Sequence, residues 1–254
     1  MNHAEVQGIL AEQRRYRWAA MQTSAEERRV VLQRLRGAIL ESRADIIAAL
    51  HEDLGRDTRL SKAELGTVIA DLDEAIAKLD EWMAATPVAP DPRFGAGARA
   101  EIRYQARGVV LLFGPWNFPF SLVFQPLVAI VAAGNCCIVK PNEMSPATSA
   151  VTARIIRSVF EPRHVAVVEG GVDLAEALLE LPVDHIFFTG SPKVGRAVMA
   201  KAAVHLASVT LELGGKCPAV IGRSADLAAA IAHIAGGKHS NAGQICLSPD
   251  HVWV

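Results

Sequence analysis

Apolar and polar positions follow two different rhythms along the 254-residue chain. The first third alternates apolar and charged residues in the manner of amphipathic helices. Two Ser-x-x-Glu sequences, Ser24-Ala-Glu-Glu27 and Ser61-Lys-Ala-Glu64, read as capping boxes, in which the serine hydroxyl and the glutamate carboxylate satisfy orphan amides of a first turn. Helices are expected after each, broken near Gly55 and again near Thr86-Pro87. Pro87 to Gly97 is rich in Pro and Gly and predicts a loop, while Arg99 to Gln105 alternates as an exposed strand does, so this region reads as a protruding arm or edge strand.

From Val109 the rhythm changes to short, wholly apolar runs separated by helical stretches. Val109–Phe113, Cys136–Val139, Val165–Val168, Ile186–Phe188, Val209–Leu211 and Ala219–Ile221 read as strands. Helices are expected from Ser121, from Ser145-Pro146 (a cap followed by proline at the first helical position), from Asp173 and after Gly190. Strands apolar on both faces and separated by helices imply an α/β fold with a parallel sheet covered on both sides. Such sheets bind ligands beyond the carboxyl ends of their strands, which directs attention to the residues after Phe113, Val139, Val168, Phe188 and Leu211.

Composition narrows the partners. The 26 basic and 27 acidic residues nearly cancel without blocks of like charge, so neither nucleic acid nor an anionic membrane is called for, and a small molecule is the expected ligand. The apolar stretch from Phe118 to Val139 is interrupted by Gln125, Pro126, Gly134 and Asn135, which favours a buried helix and strand over a membrane span. The N-terminus has no basic region followed by an apolar one, and the four cysteines include no C-x-x-C and no histidine at metal-ligand spacing. A cytoplasmic location and no metal are expected.

Two stretches imitate nucleotide fingerprints. Gly95-Ala-Gly97-Ala-Arg-Ala100 lacks a preceding strand and reads as a flexible loop. Gly190-Ser-Pro-Lys-Val-Gly195 does follow a strand and open a helix, but Arg196 and Ala197 stand where a P-loop needs Lys and Ser/Thr, which argues against an ATPase. What survives is a glycine turn at a helix N-terminus, suited to a phosphate or pyrophosphate or simply an ordinary βα turn.

The other strand ends carry candidate chemistry, each with a plainer alternative. Asn117, in Gly114-Pro-Trp-Asn-Phe-Pro119, can donate its amide to an oxyanion or satisfy its own backbone. Lys140 with Glu143 suits sugar hydroxyls and phosphates, or forms a surface ion pair. Glu212, between apolar residues and a double glycine, is expected to be partly desolvated and so suited to act as a general base, or else to cap a helix or join a structural salt bridge. Cys136, Cys137 and Cys217 lie among apolar residues and read as packing thiols. Cys246, flanked by small and polar residues after Asn241-Ala-Gly-Gln-Ile, is the candidate nucleophile, with its own amide as an oxyanion donor and a Cys–Glu pair more natural than Cys–His.

Taken in order, PWNFP, KPNE, FFTGSPKVG, LELGGK and NAGQIC resemble the aldehyde dehydrogenase superfamily over the chain from about Ser24 onward, and FFTGSPKVGRAVM with GNCCIVKPNEMSPATS is most similar to the group of fatty, aromatic and coniferyl aldehyde enzymes. The resemblance implies a Rossmann-like parallel sheet with helices on both faces, preceded by N-terminal helices. It divides the chain into helices of the cofactor domain (1–86), an oligomerisation arm (87–107), a dinucleotide-binding domain (108–235) and the start of a catalytic domain (236–254). By resemblance Cys246 attacks an aldehyde, Asn117 and the Cys246 amide hold the oxyanion, and Glu212 activates the water that hydrolyses the thioester. Lys140 and Glu143 match positions that hold the adenosine ribose, Gly190, Ser191 and Gly195 match the turn near the pyrophosphate, and Trp116 and Leu213 match further cofactor-binding positions. A carboxylate at Glu143 disfavours a 2′-phosphate, so NAD is expected ahead of NADP, which the group also accepts.

The family pattern continues beyond Val254, through a Glu-x-Phe-Gly-Pro segment that holds the nicotinamide ribose. The chain is therefore expected to be truncated before most of the catalytic domain, with little turnover of its own and with a homodimer as the full-length state. His251 to Val254 is expected to be a strand without neighbours, its apolar side exposed. Two alternatives stay open, a CoA-acylating aldehyde dehydrogenase, against which Glu212 argues, and a non-catalytic NAD-binding remnant.

Overall fold

The computed structural model describes residues 3–95 and 97–254. Four helices come first: α1 (His3–Met21), α2 (Ala25–Glu41), α3 (Arg43–Leu54) and α4 (Thr58–Met83). α2 opens at the expected capping box, with Ser24 Oγ accepting from the Glu27 amide and the Glu27 carboxylate accepting from the Ser24 amide. α3 stops at Gly55, whose φ of +61° is a left-handed C-cap that residues with a Cβ enter at a cost. The second Ser-x-x-Glu is not a capping box. Asp57, an equally good cap, comes one turn earlier and accepts from the Leu60 amide. Ser61 therefore lies inside α4, donating to the Asp57 carbonyl at 3.0 Å, and Glu64 is buried for another purpose.

The arm is a short hairpin. β1 (Thr86–Val88) pairs antiparallel with β2 (Ala100–Ile102), so the first residues of the stretch expected to be a loop are strand, and both strands are largely exposed. Gly95 has φ +86° at the end of a 3-10 turn, while Ala96, within the imitation fingerprint, lies outside the described residues.

Five parallel strands follow: β3 (Val109–Phe113), β4 (Cys136–Lys140), β5 (Val165–Val167), β6 (His185–Gly190) and β7 (Ser208–Leu213). They are joined by α5 (Ser121–Ala132), α6 (Pro146–Val159), α7 (Val172–Leu179) and α8 (Pro192–Val204). Their spatial order is β5-β4-β3-β6-β7, so the chain winds outward to one side from β3 and then returns to wind outward on the other. Alternate residues of β3 feed two cores. Val110 and Leu112 join Leu32, Leu72, Phe124 and Ile156 on the face covered by α2 to α6, and Val109, Leu111 and Phe113 join Val6, Leu178 and Val198 under α1, α7 and α8. The apolar stretch from Phe118 is thus a buried helix and strand, as expected. Among the described residues no helix is long and apolar enough to cross a membrane.

The last forty or so residues depart from the expected sheet. β8 (Pro218–Val220) does not extend it but pairs, in parallel, with β9 (His251–Trp253), so β9 has a neighbour after all. Its exposure is as expected, 46% at Val252 and 64% at Trp253. α9 (Leu227–His239) lies between the two strands in sequence, and the division expected at residue 235 falls inside it.

Candidate active site

The reversal of strand order between β3 and β6 opens a crevice at the carboxyl ends of the strands. A cavity of about 620 Å³ occupies it, lined by Phe113 to Asn117 at and after the end of β3, Lys140 and Glu143 at and after the end of β4, Val172 and Ala175 in the first half of α7, Phe188 to Ser191 at the end of β6, Glu212 to Gly214 at the end of β7, and Gly243 to Cys246. Four of the five strand ends singled out in the sequence meet here, and the fifth, after Val168, reaches the wall only through α7. Of the ten residues named as site candidates, only Gly195 is not on the wall. A Cβ there would stand 2.9 Å from Leu213 Cδ2, so the glycine lets α8 lie close against β7.

At the end of β4, Lys140 is no surface residue: it is 3% exposed, and its Nζ donates to Glu143 Oε2 at 2.6 Å and to the Pro141 carbonyl at 3.1 Å. Burial, the largest single influence, pushes the Glu143 carboxyl up, but the Lys140 hydrogen bond, the residue's own backbone amide and the lysine charge together outweigh it and leave the group below its ordinary value. A buried cation clamped to a half-exposed carboxylate is anionic at its solvent-facing end, which favours hydroxyl donors over a phosphate. At the end of β6, Ser191 caps α8 by accepting from the Val194 amide at 3.3 Å, so the positive end of the helix faces the cavity. A Cβ on Gly190 would fall 2.5 Å from the Phe188 ring, so no other residue leaves that wall in place. Next to it the Thr189 hydroxyl, also on the wall, is buried without a hydrogen-bond partner. An orphaned hydroxyl, a helix N-terminus and a lysine–carboxylate pair along one crevice fit a dinucleotide.

Asn117 is held from both ends. Its Nδ2 donates to the Gln244 carbonyl at 2.9 Å, which fixes the amide and leaves a second N–H available. Its own carbonyl accepts from Arg56 Nη2 at 2.6 Å and from Asn241 Nδ2 at 3.0 Å. Arg56 also donates to Asn241 Oδ1 at 2.8 Å and is paired with Glu64. Glu64 Oε1 in turn accepts from the Phe120 and Ser121 amides, at 3.1 and 2.8 Å, and so caps α5. Arg56 and Glu64 side chains are 1% and 0% exposed; burial pulls the guanidinium down to about 10, still charged at neutral pH. Sequence reasoning missed this support. From its spacing Glu64 reads as half of a capping box, and the available signal is Arg56, a lone cation in the short gap between α3 and α4.

The thiols separate into two pairs. Cys136 and Cys137 are fully buried, and burial pushes the first up to about 12 and the second well above the ordinary thiol value. Cys246 is exposed on the cavity wall, delivered by a turn in which Asn241, Ala242 and Gly243 are all left-handed, with φ of 51°, 56° and 75°. Cys217, read from sequence as a packing thiol, is instead half-buried beside Cys246, donating to its carbonyl at 3.5 Å. It sits there because the pairing of β8 with β9 folds its strand back under the cysteine loop. Glu212 is also not as expected. It is exposed rather than desolvated, because the outer side of the edge strand β7 is open beyond its end. Among the described residues no group of three His, Cys, Asp or Glu could hold a metal ion.

Comparison with known proteins agrees with this architecture. The model of the aldehyde dehydrogenase family matches residues 2–254. The chain is 40% identical over 251 residues, 98% of its length and 56% of the relative's, to AldX of Bacillus subtilis (strain 168), which is named as an aldehyde dehydrogenase. It is 40% identical over 222 residues, 87% of its length and 46% of the relative's, to aldehyde dehydrogenase family 3 member A2 of Macaca fascicularis. Among solved structures, the substrate-bound state of Staphylococcus aureus AldH superposes with a TM-score of 0.93 at 33% identity, covering 98% of this chain and 54% of that one. The chain thus spans about half the length of the curated relatives it matches. With its five-stranded sheet, its crevice and these likenesses, the chain belongs to the aldehyde dehydrogenase family.

Proposed function

We propose that this chain carries the cofactor-binding part and the reactive cysteine of an enzyme that oxidises an aldehyde to a carboxylic acid with NAD, and with NADP as the weaker cofactor. The observation that supports the reading is the single cavity that gathers Cys246, Glu212 and Asn117 at one end and the Lys140–Glu143 pair and the Gly190–Ser191 turn at the other. In it Cys246 Sγ attacks the aldehyde carbon, and the oxyanion of the thiohemiacetal accepts from the second Asn117 Nδ2 hydrogen and from the Cys246 amide. A dinucleotide held there would supply the hydride acceptor needed between the thiohemiacetal and the thioester. Glu212 takes a proton from the water that hydrolyses the thioester. Lys140 and Glu143 bind the adenosine ribose hydroxyls, Trp116 and Leu213 line the same channel, and the Glu143 charge repels a 2′-phosphate. In this reading residues 1–86 buttress the cofactor domain, 87–107 form the oligomerisation arm, and the catalytic portion begins near α9. The full-length form is a cytoplasmic homodimer.

The purified chain tests this. NAD at a hundredfold excess over its Kd is expected to stabilise the fold by about 2.7 kcal/mol, seen as a raised melting temperature that Lys140→Ala abolishes. Turnover of an aldehyde panel by the chain alone is expected to be slight, since Glu212 stands open to solvent. Ordinary turnover lost on Cys246→Ser would overturn that second clause and leave the first intact. The exposure of Glu212 also favours a second reading, a dinucleotide binder without turnover, supported by NAD stabilisation together with an absence of any Cys246-dependent acyl transfer from an activated ester.

A further inference from the structure

Cys217 has no place in the proposed reaction, yet it lies against the residue that does. Its thiol donates to the Cys246 carbonyl at 3.5 Å. With the carbonyl and Cα–C bond lengths added, its sulfur lies within about 6 Å of the Cys246 Cα. The pairing is fixed from both sides. β8 and β9 run in register from Pro218 opposite His251, the Asp250 amide donates to the Cys217 carbonyl at 2.9 Å, and Lys216 pairs with Asp250 at 3.2 Å. The chain between Cys246 and this anchor is a tight turn, the Ser248 amide donating to the Ile245 carbonyl at 3.1 Å. Cys246 is exposed and Cys217 half-exposed, whereas Cys136 and Cys137 are sealed in the sheet. Cys246 lines the cavity and Cys217 does not, so a bond between them draws the Cys246 thiol off the cavity wall.

We propose that Cys217 is a resolving thiol for Cys246, the two forming a reversible disulfide when the protein meets a hydroperoxide. In the first step the Cys246 thiolate attacks the terminal peroxide oxygen. An S–O bond forms, the O–O bond breaks, and the alcohol or water leaves with a proton, giving a sulfenic acid at Cys246. In the second the Cys217 thiolate attacks that sulfur. The S–S bond forms, the S–O bond breaks, and hydroxide leaves and takes up the proton shed by Cys217 as water. Two thiols lose two electrons and the hydroperoxide gains them. The disulfide spares Cys246 from further oxidation to the sulfinic acid, which thiols do not reverse. The proposal deepens the reading of Cys246 as the reactive thiol and rests on it for its consequence, although the bond itself is read without any turnover.

The test uses the whole chain, folded, exposed to hydrogen peroxide, blocked with N-ethylmaleimide and digested with trypsin without reduction. The peptides Cys217–Arg223 and His239–Val254 are expected to appear as one linked species in the mass spectrum, and dithiothreitol separates them. In Cys217→Ser the linked species is absent and Cys246 sulfinic acid accumulates several-fold over the wild type. In urea the selectivity is lost and links to Cys136 and Cys137 appear. Absence of the 217–246 link, with Cys246 sulfinic acid equal in wild type and Cys217→Ser, overturns the proposal while leaving Cys246 reactive. A Cys246 that resists peroxide altogether overturns both the proposal and the reactive-thiol reading.

Discussion

Helices α5 and α9 are nearly matched in length, 12 and 13 residues, and both are dominated by apolar residues, SLVFQPLVAIVA against LAAAIAHIAGGKH. Eight side chains of α5 are buried and none of α9. The difference lies in what each helix faces. α5 presents Val123, Phe124, Leu127 and Val131 to a core shared with β3, β4, α2 and α4, whereas Leu227 and Ile231 of α9 stand open at 59% and 64% exposure. The thiols divide along the same line, Cys136 and Cys137 with the first region, Cys217 and Cys246 with the second. Apolar content recruits a segment to a core only where an opposing surface exists, and the cavity lies on the boundary between a region that has one and a region that does not.

The contrast can be broken in four ways. The largest effect is expected from truncating equivalent residues in the two helices. Phe124→Ala should destabilise by about 3–5 kcal/mol in urea unfolding, and Ile231→Ala by less than about 0.5 kcal/mol. Comparable losses would show that α9 is packed after all. Next, iodoacetamide should label Cys246 and Cys217 at least ~100-fold faster than Cys136 and Cys137, which react only through opening of the sheet. Mass spectrometry of timed digests reads the order, and early label on Cys137 would contradict it.

The third is a response to acid. Burial pulls His164 and His185 down to about 4, His185 between Ser208 and Thr210 hydroxyls at 2.7 and 3.1 Å. Both are neutral in the fold and take up protons on unfolding once the pH falls below their unfolded value near 6.5. Their contribution is complete above pH 6.5 and is lost as the pH falls from there toward 4, by up to about 1.4 kcal/mol per unit for each histidine. The urea midpoint of the sheet should fall in that window, and a flat midpoint between pH 7 and 5 would remove both histidines from the buried region. The smallest effect concerns the helix caps. Ser24→Ala should lower global stability by about 1 kcal/mol with α2 still formed, because packing holds it. Asp226→Ala, which removes the bonds to the Ala228 and Ala229 amides, should abolish hydrogen-exchange protection in α9 and leave the global midpoint unmoved. Protection surviving in α9 would reveal a hidden contact.

The parts of the molecule legible from sequence are those whose patterns are local. Wholly apolar runs such as VVLLF and CCIV could only be strands covered on both faces, and Gly55 and the Ser24 box fixed helix ends through chemistry within a few residues. The rule that ligands gather at strand ends led to the cavity wall residue by residue. Three things were not legible, each for want of partner information. Glu64 reads as a capping glutamate from its spacing, and only the fold brings Arg56 and the Phe120 and Ser121 amides to it. β8 reads as one more parallel strand, and only its pairing with β9 removes it from the large sheet. Glu212 reads as desolvated because its neighbours are apolar, but burial depends on what lies across from a strand rather than along it.

The left-handed run at Asn241 and Ala242 has a consequence in time. Each such residue disfavours its conformation by about 1–2 kcal/mol, so the unfolded chain rarely visits the turn. Its anchor is Arg56, 185 positions away in sequence, and Arg56 is itself in place only when Glu64 has met the start of α5. The turn that delivers Cys246 therefore closes last, after the N-terminal helices have docked on the sheet. During synthesis and refolding the Cys246 loop acquires its contacts with Asn117 and Arg56 only at the end of the sequence of events, and a chain arrested earlier holds the cysteine in a loop without that bracing.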